Sequence, residues 1–361
     1  MQQRETQIIQ LDPNHLDEPY ARQQVEYAAR LLQEGELVVL PTETVYGLGA
    51  NAFNAQAAEQ IFIAKGRPLS DPLIVHIADE HELENIVSVV PEAAKKLAAA
   101  FWPGPLTMIL PAGPRVPGLI TSGLPNVAVR MPSHPIARAL IRAAGVPVAA
   151  PSANRFMHVS PTTARHAYMD LKGRVPLILD GGPCTVGVES TILDLCAEVP
   201  TILRPGGTGL EALRRVLQKV QPPQLRQIQS EEEEDLTQAQ AAPGQMRVHY
   251  SPHVPTYLFE GSVEDMRHAM LAELQARQAR EEHVGVLIAD EDLNAFQESG
   301  AIIYSLGHTP EQAATRLFAG LRTLEDAGVN VILCRSFTEQ GLGLAIRDRL
   351  LKAAGGKITK V

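Results

Sequence analysis

The chain has 361 residues, a length that at roughly 150 residues per domain predicts two domains. Apolar residues make up 45% of the chain and charged residues 20%, a composition that is typical of globular proteins and excludes disordered and collagen-like chains. The 41 acidic residues outnumber the 32 basic ones and give a net charge of −9. Such a chain is not built to coat nucleic acid, so any contact with RNA or a nucleotide has to use a local basic pocket.

Cysteine usage and the N-terminus indicate the compartment. The three cysteines, Cys184, Cys196 and Cys334, form neither a disulfide framework nor a paired metal motif, which fits a reducing environment. Residues 1–20 lack an apolar signal-peptide core, and no stretch approaches the ~20 apolar residues that span a bilayer. The sequence therefore predicts a cytoplasmic protein without membrane contact.

The first part of the chain, residues 1–217, is predicted to form one α/β (α+β) domain. Short β-branched runs alternate there with helical stretches and with turns rich in proline and glycine. The predicted strands are Glu36–Leu40, Leu73–Ile77, Leu106–Leu110, Val127–Met131, Val146–Ala150, Leu177–Asp180 and Ser190–Leu195.

A change of composition separates this domain from the rest. Residues 218–252 contain Pro222-Pro223 and the acidic run Glu231–Asp235, and we interpret them as a linker. Residues 253–361 again alternate strands and helices with short connections, which predicts a small doubly wound, Rossmann-like parallel sheet. Its predicted strands are Thr256–Phe259, Val284–Ile288, Ala301–Tyr304 and Val329–Leu333, and its predicted helices are Val263–Arg280, Pro310–Glu325 and Leu344–Ala353.

The segment PTETVYGLGA (residues 41–50) follows the first predicted strand. Its Gly47-x-Gly49 pattern matches a dinucleotide fingerprint poorly, because a Rossmann loop places its first glycine directly after the strand. We interpret Thr42, Glu43 and Thr44 as polar groups at a strand end, where ligands commonly bind. The alternative is a tight loop whose threonines only cap the backbone.

Two cations surround a predicted helix end. Asn54 is a predicted N-cap, and Gly66 ends the helix where a left-handed residue is needed. Lys65 and Arg67 flank that glycine and precede a proline-rich loop that leads into the strand carrying His76. Cations on a rigid loop suit an anionic phosphate ligand, although compensation of the helix dipole is a common alternative.

Arg130 lies in the predicted strand VAVRMP (residues 127–132). Strand alternation places Val127 and Val129 on one face and Ala128 and Arg130 on the other. A buried arginine is costly unless its charge is paired. Arg130 therefore needs an anionic partner, which is either a protein carboxylate or a substrate carboxylate.

Together these segments resemble a known family. PTETVYGLGANAF, KGRP followed by PLIVHI, PGPLT, VAVRMP, APSAN, STILD and RPG occur in this order over residues 24–207, as in the YrdC-like threonylcarbamoyl-AMP synthases. The segment APGQMRVHYSP (residues 242–252) resembles the linker of the long-form members. The resemblance implies a YrdC-like domain with a twisted mixed sheet, a linker and a small Rossmann-like C-terminal domain.

The resemblance also implies a reaction and its residues. L-threonine, bicarbonate or CO₂, and ATP with Mg²⁺ would give threonylcarbamoyl-adenylate and pyrophosphate for the threonylcarbamoyladenosine modification of tRNA. Downstream threonylcarbamoyl-transfer proteins are the implied partners, with at most a weak contact to tRNA.

The implied catalytic residues are Lys65 and Arg67. The implied threonine contacts are Thr44, His76, Arg130, Ala150 and Ser190. The implied nucleotide contacts are Arg67, Asp71, Asn126, Ser152, Asn154, Ser160 and Arg204. Asp71 and Asn126 depart from the family pattern, which commonly has asparagine and threonine there; Asp71 could instead help to hold Mg²⁺.

The linker is expected to act as a lid. A mixed anhydride is vulnerable to water, and a loop closing over the reactants protects it. Arg247, His249 and Tyr250 are the predicted lid residues, and a passive connector is the alternative. His249 and His253 have a spacing that a metal could use, but without further ligands in the sequence we interpret them as linker histidines.

Two other functions compete with the synthase. A non-catalytic RNA-binding or regulatory module of the same fold could keep the pocket without turnover, but a net charge of −9 and a buried arginine suited to a carboxylate favour the enzyme. A carbamoyltransferase relative is the other alternative, and such proteins normally carry additional domains.

Overall fold

The computed structural model describes residues 5–224, 238–246 and 250–361. They fold into two compact units: among these residues the first unit comprises 5–156, 160–224 and 238–245, and the second comprises 157–159, 246 and 250–361. Among the helices of these ranges, none is both long enough and apolar enough to cross a membrane.

The first unit is built on a mixed sheet. Its strands are β1 (Gln7–Gln10), β2 (Val38–Leu40), β3 (Gly47–Asn51), β4 (Ile74–His76), β5 (Leu106–Pro111), β6 (Asn126–Arg130), β7 (Val148–Ala149), β8 (Leu177–Asp180), β9 (Thr191–Asp194) and β10 (Thr201–Arg204). Its helices are α1 (Pro19–Gln33), α2 (Ala55–Lys65), α3 (Glu92–Phe101), α4 (Pro135–Ala144), α5 (Ala164–Leu171) and α6 (Leu210–Leu217), with a 3₁₀ turn at Glu80–Asn85. The strands run in the order β1-β8-β2-β3-β7-β4-β6-β5-β9-β10.

Local sequence signals explain how α2 and β6 form. The Asn54 side chain accepts hydrogen bonds from the backbone N–H groups of Gln56 and Ala57, and Gly66 ends the helix in the left-handed region with φ 68°. In β6, Val127 and Val129 belong to the main apolar core, whereas Ala128 belongs to a small cluster elsewhere. The predicted caps and the predicted alternation are confirmed.

Four strands of the structure were not predicted from the sequence. They are β1, β3, β10 and the last strand of the chain. Gly47 and Gly49, whose spacing matches a dinucleotide fingerprint poorly, lie in β3, which pairs antiparallel with β2 in the register Val38↔Gly49. Glycine has low intrinsic strand preference, but a Cβ at position 49 would crowd Leu40 and Val148 at 2.9 Å, so the tight packing here requires it.

The second unit is an all-parallel sheet. Its strands are β11 (Thr256–Glu260), β12 (Val284–Ile288), β13 (Ile302–Ser305), β14 (Val331–Arg335) and β15 (Ile358–Lys360), in the order β13-β12-β14-β11-β15. Its helices are α7 (Val263–Gln278), α8 (Leu293–Phe296), α9 (Pro310–Asp326) and α10 (Leu342–Ala354), with a 3₁₀ turn at Asp290–Asp292. Met266 and Met270 of α7 pack with Val286 and Val331 on one face of the sheet. Gly320 of α9 approaches Leu287 of β12, so the predicted doubly wound arrangement is confirmed.

Candidate active site

A row of polar side chains crosses the first unit's sheet. His76 of β4 and Thr107 of β5 lie directly beside Arg130 of β6 in the strand register. Thr107 Oγ1 is 2.7 Å from Oγ of Ser190, which directly precedes β9. All four residues are buried. Neighbouring strands therefore bring together residues that are up to 114 positions apart in the sequence, His76 and Ser190.

Arg130 has the anionic partner that the sequence analysis required. Its Nη2 lies 2.7 Å from Oε1 of Glu43, Nη1 donates to Oγ1 of Thr44 at 2.8 Å, and Nε donates to the carbonyl of Gly104 at 3.3 Å. Glu43 and Thr44 are held by the turn after β2, where Thr42 Oγ1 donates to the carbonyl of Val45 at 2.6 Å. The protein thus compensates the buried charge, and the guanidinium is fixed in orientation.

His76 is the neutral member of the row. It is 2% exposed, and burial, together with the nearby charge of Arg130, lowers the pKa of its imidazole to about 3. Its Nδ1 lies 3.2 Å from the carbonyl oxygen of Ile74. A neutral imidazole beside an arginine can donate or accept one hydrogen bond without adding charge to the site.

Lys65 anchors the loop after β7. Its Nζ donates to the carbonyls of Ser152 at 2.5 Å and Asn154 at 2.6 Å, and lies 3.4 Å from Oδ1 of Asn154. Burial, and secondly the nearby Arg67, hold the pKa of Lys65 well below its ordinary value. Lys65 therefore joins the end of α2 to the APSAN segment and fixes two residues that the family resemblance assigns to the nucleotide.

Arg67 is held by the loop that follows α2. Its Nη2 is 3.0 Å from Oδ2 of Asp71, and its Nε and Nη2 donate to the carbonyls of Asp71 at 3.0 Å and Pro72 at 2.7 Å. Both side chains are buried. Asp71, whose carboxylate departs from the family pattern, is thus the direct partner of Arg67, the cation that is predicted to contact the phosphates.

Arg204 lies beside the end of the polar row. Its Nη2 donates to the carbonyl and to Oγ of Ser190 at 3.0 and 3.2 Å, and its Nη1 donates to the carbonyl of Pro243 at 3.3 Å. Gly206 packs against the Glu189 carbonyl so closely that a Cβ would overlap it. The RPG motif therefore has a physical reason: the glycine permits the close approach that places Arg204 against Ser190.

Ser160 completes this side of the site. Its Oγ donates to Oε1 of Glu189 at 2.5 Å, and both residues are buried. Ala150 lies next to the row, because its N–H donates to the carbonyl of Ile74, two residues before His76, at 2.9 Å.

A cavity of about 150 Å³ opens on the first unit's sheet, at the Asn126 end of β6. Pro72, Asn126, Asp194 and Pro243 are among its lining residues. Between the cavity and the polar row lies a small apolar cluster formed by Ile74, Ile109, Ala128, Ile192 and Ala242. The linker residues Ala242 and Pro243 therefore cover the sheet within the first unit, and the N–H of Gln240 donates to the carbonyl of Ser70 at 2.9 Å.

The structure thus gathers the predicted residues into two groups. The first group comprises the predicted members of the polar row and their neighbours: Thr44, His76, Arg130, Ala150, Ser190 and Arg204. The second group lies around the end of α2: Lys65, Arg67, Asp71, Ser152 and Asn154. Asn126 lies at the opposite end of β6 from Arg130 and lines the cavity. Of the predicted lid residues, Arg247 and His249 lie outside the described residues, and Tyr250 is buried within the second unit, 5.5 Å from the ring of Phe318.

Four contributors were absent from the predicted site. Thr107 and Glu189 hold Ser190 and Ser160 in place, and Ala242 and Pro243 cover the sheet face. Glu43 was recognised only as a polar residue at a strand end, although the charge of a buried Arg130 already called for such a carboxylate. For Thr107 and Glu189 the sequence carries no comparable signal, because their roles depend on which strands pair.

The comparisons with known proteins agree with this geometry. A family described as "Telomere recombination" matches residues 30–206, and one described as "Threonylcarbamoyl-AMP synthase, C-terminal domain" matches residues 209–355. Threonylcarbamoyl-AMP synthase of Bacillus subtilis is 44% identical over 340 residues, covering 93% of this chain and 94% of the relative. The corresponding protein of Pyrococcus abyssi is 43% identical over 338 residues, covering 93% and 96%.

Solved structures give the same result. The crystal structure of P. abyssi Sua5 complexed with L-threonine matches with a TM-score of 0.89 and 40% identity, covering 98% of this chain and 99% of that one. Because the match covers 98% of this chain, it includes residues of both units. The chain belongs to the family of long-form threonylcarbamoyl-AMP synthases, which join a YrdC-like domain to a second C-terminal domain.

Proposed function

We propose that this chain is an L-threonylcarbamoyladenylate synthase and, by reaction class, a nucleotidyltransferase. It would convert L-threonine, bicarbonate or CO₂, and ATP into threonylcarbamoyl-adenylate and pyrophosphate, for the threonylcarbamoyladenosine modification of tRNA. Full-length relatives carry the synthase name, and a similar structure is described as complexed with L-threonine. The observation that carries the proposal is the buried row His76–Arg130–Thr107–Ser190, in which Glu43 and Thr44 fix the orientation of the Arg130 guanidinium.

The chemistry has two bond-forming steps. The amine of threonine attacks CO₂, loses a proton and becomes a carbamate. A carbamate oxygen then attacks the α-phosphorus of ATP, the bond from that phosphorus to the bridging oxygen breaks, and pyrophosphate leaves with the electron pair. Neither step needs a nucleophilic side chain, so the protein's task is to position the reactants and to stabilise the charge on the phosphates.

The polar row would take threonine. Arg130 presents a guanidinium already oriented by Glu43 and Thr44, and its remaining N–H groups suit the carboxylate of an amino acid. Neutral His76 and the hydroxyl of Ser190 would add hydrogen bonds without a second positive charge. The Ala150 backbone lies next to the row and would contact the bound threonine.

The residues around the end of α2, together with Arg204 and Asn126, would take ATP. Arg67 and Arg204 would face phosphate oxygens, and loss of a positioned donor of this kind costs on the order of 100-fold in turnover. Lys65 would act through the loop that it anchors, since its Nζ holds the carbonyls of Ser152 and Asn154. Asn126 at the cavity wall would contact the nucleoside end.

Mg²⁺ fits this site as a partner of the nucleotide. The hydroxyl of Ser160 and the carboxylate of Glu189, which are hydrogen-bonded to each other, supply the hard oxygen ligands that Mg²⁺ prefers, with phosphate oxygens and water completing the shell. We propose these two residues as its protein ligands. When bound, the ion would neutralise charge on the phosphates.

The reactivity of the adenylate product indicates that it needs protection from water and a protein that accepts it. The linker is proposed to keep water from the adenylate, which is a mixed anhydride; the buried Ala242 over the sheet supports a covering role. The product would pass to threonylcarbamoyl-transfer proteins, with at most a weak contact to tRNA, in the cytoplasm.

Pyrophosphate release, measured with each amino acid in turn, tests the proposal. Turnover is expected only when L-threonine, ATP, bicarbonate and Mg²⁺ are present together, with serine as the closest control substrate. Release that continues at the same rate without threonine, after correction for ATP hydrolysis, would refute it. Absence of any turnover by a folded chain that still binds RNA would favour the non-catalytic module instead.

A further inference from the structure

Three potential metal ligands meet within the second unit. His158, His253 and Glu325 each offer one ligand atom, and these atoms all lie within 4.8 Å of one another. His158 Nε2 is 3.0 Å from Oε2 of Glu325. The two imidazole rings stack with their centroids 4.9 Å apart and their planes at 19°. The proposed reaction uses none of these residues.

Backbone contacts hold the three residues in place. The N–H of His253 donates to Oε1 of Glu325 at 2.6 Å. The N–H of Ser251 donates to the carbonyl of Met157 at 2.9 Å, and Arg322, one turn before Glu325 on α9, donates to the carbonyl of Val159. The segments that carry both histidines are therefore fixed next to α9 before any ion binds, which lowers the entropic cost of forming a site.

The burial pattern suits an ion that enters from solvent. The side chains of His158 and Glu325 are 10% and 15% exposed, whereas His253 is exposed. One imidazole and the carboxylate are thus shielded while the second imidazole faces water. This leaves an entry path and room for a water ligand.

We propose that His158, His253 and Glu325 bind one divalent transition-metal ion of the Zn²⁺ type, with water completing the coordination. Two imidazole nitrogens and one carboxylate oxygen form a donor set that Zn²⁺ accepts in proteins. Mg²⁺ prefers a shell of oxygens, so this site discriminates against the ion that would accompany ATP. The metal replaces the hydrogen bond between His158 and Glu325 and cross-links residues 157–159, residue 253 and α9.

Metal titration of the full chain tests this inference. After treatment with a chelator, the protein is titrated with Zn²⁺, and bound metal is measured by equilibrium dialysis. One ion per chain is expected, and millimolar Mg²⁺ is not expected to displace it. His158→Ala, His253→Ala and Glu325→Gln should each weaken binding at least ~10-fold, since even outer partners of metal ligands contribute that much.

A matched control separates this site from general histidine binding. His268 on α7 is also exposed, and His268→Ala is expected to leave Zn²⁺ affinity unchanged. Failure to bind one ion per chain, or equal affinity in the wild type and the His158→Ala/His253→Ala double variant, would overturn the proposal. So would a His268→Ala variant that loses affinity to the same extent as the cluster variants.

A second measurement needs no variant and covers the case in which substitutions impair folding. X-ray absorption of the Zn²⁺-loaded wild type should show imidazole scattering from two histidines and about four ligands in total. A shell made only of oxygen would overturn the proposal. Circular dichroism in chelator establishes whether each variant is folded, so that loss of binding is assigned to lost ligands only in folded protein.

Discussion

Both units bury arginines, but the surroundings of these arginines differ. In the second unit, Arg349 is completely buried at 0% exposure, and its Nη1 lies 2.6 Å from the carboxylate of its neighbour Asp348. Asp348 also accepts from Lys352 at 2.8 Å, so the carboxylate and both cations lie on a single helix, α10. In the first unit, Arg130 pairs with Glu43, which lies 87 positions away in the sequence, and Arg130 is a member of the polar row.

This difference shows that a buried charge does not by itself mark a functional site. A charge paired within its own helix stabilises one element, whereas the pair of Arg130 and Glu43 joins a strand to a distant turn and fixes the guanidinium within the polar row. Buried ion pairs contribute little net stability because desolvation opposes their attraction. The arrangement of Arg130 therefore calls for a function, while that of Arg349 does not.

The largest expected effect comes from replacing Arg130. Arg130→Met should weaken threonine binding by about 2–5 kcal/mol, the contribution of a desolvated charge-assisted contact. It should also lower the stability of the first unit, since Glu43 would remain buried without its cation. Titration calorimetry of the folded variant with L-threonine measures the first effect, and thermal melting measures the second.

Arg349→Met is the matched control, because it removes an equally buried arginine. The variant should melt at a lower temperature and bind threonine as tightly as the wild type. Equal losses of threonine affinity in the two variants would contradict the distinction between the two arginines.

The next largest effect concerns the cations at the end of α2. Lys65→Ala and Arg67→Ala should each reduce pyrophosphate release on the order of 100-fold, with little change in threonine affinity measured without nucleotide. Lys65 should act through the position of Ser152 and Asn154, and Arg67 through the phosphates. Steady-state kinetics with ATP as the varied substrate measures both.

Lys352→Ala provides the control for a simple helix-end effect. Lys65 and Lys352 both lie in the last turn of a helix that ends at a left-handed glycine, so compensation of the helix dipole would act equally on both. Turnover is expected to be unchanged in Lys352→Ala. Normal turnover in Lys65→Ala and Arg67→Ala would reduce those two cations to helix-end compensation.

His76 should remain neutral over a wide pH range. Its pKa of about 3 lies below the value of about 6.5 of an unperturbed imidazole, so the unfolded chain takes up this proton first as the pH falls. The contribution of His76 to stability is therefore complete above about pH 6.5 and is lost progressively towards pH 3. Nitrogen-15 NMR of the ring should show the neutral form from pH 8 down to pH 4.5.

His76→Gln supplies the comparison, since glutamine keeps a hydrogen-bonding group without the titration. Between pH 6 and pH 4 the unfolding free energy of the wild type should fall relative to this variant by up to about 1.4 kcal/mol per pH unit. A ring that protonates near pH 6.5 in the folded protein would contradict the buried, neutral assignment.

The smallest expected effect comes from Asp71. Asp71→Asn removes the carboxylate that lies 3.0 Å from Arg67 and should strengthen ATP binding by a few-fold, since an exchange of one partner for another changes affinity only modestly. The concentration of Mg²⁺ at half-maximal turnover should not change. A higher Mg²⁺ requirement in the variant would instead make Asp71 a ligand of the ion.

Local sequence signals determined much of the architecture. The Asn54 and Gly66 caps, the alternation around Arg130 and the β-α alternation of the second unit all rest on interactions between near neighbours in the chain. The ordered motifs also identified the family. By contrast, β3 was missed because two of its five residues are glycines, and the packing that requires Gly49 comes from β2 and β7.

Tertiary structure alone decided the partners of Arg130 and His253. The sequence required an anion for Arg130 but left open whether it was a protein or a substrate carboxylate, and only the fold brings Glu43, in the turn after β2, to 2.7 Å from Arg130. The sequence likewise offered His253 only as one of two linker histidines without further ligands, and only the fold places His158 and Glu325 beside it. Hydrophobic periodicity and capping act over a few residues, whereas a partner across a sheet or beside a helix depends on which elements pack together.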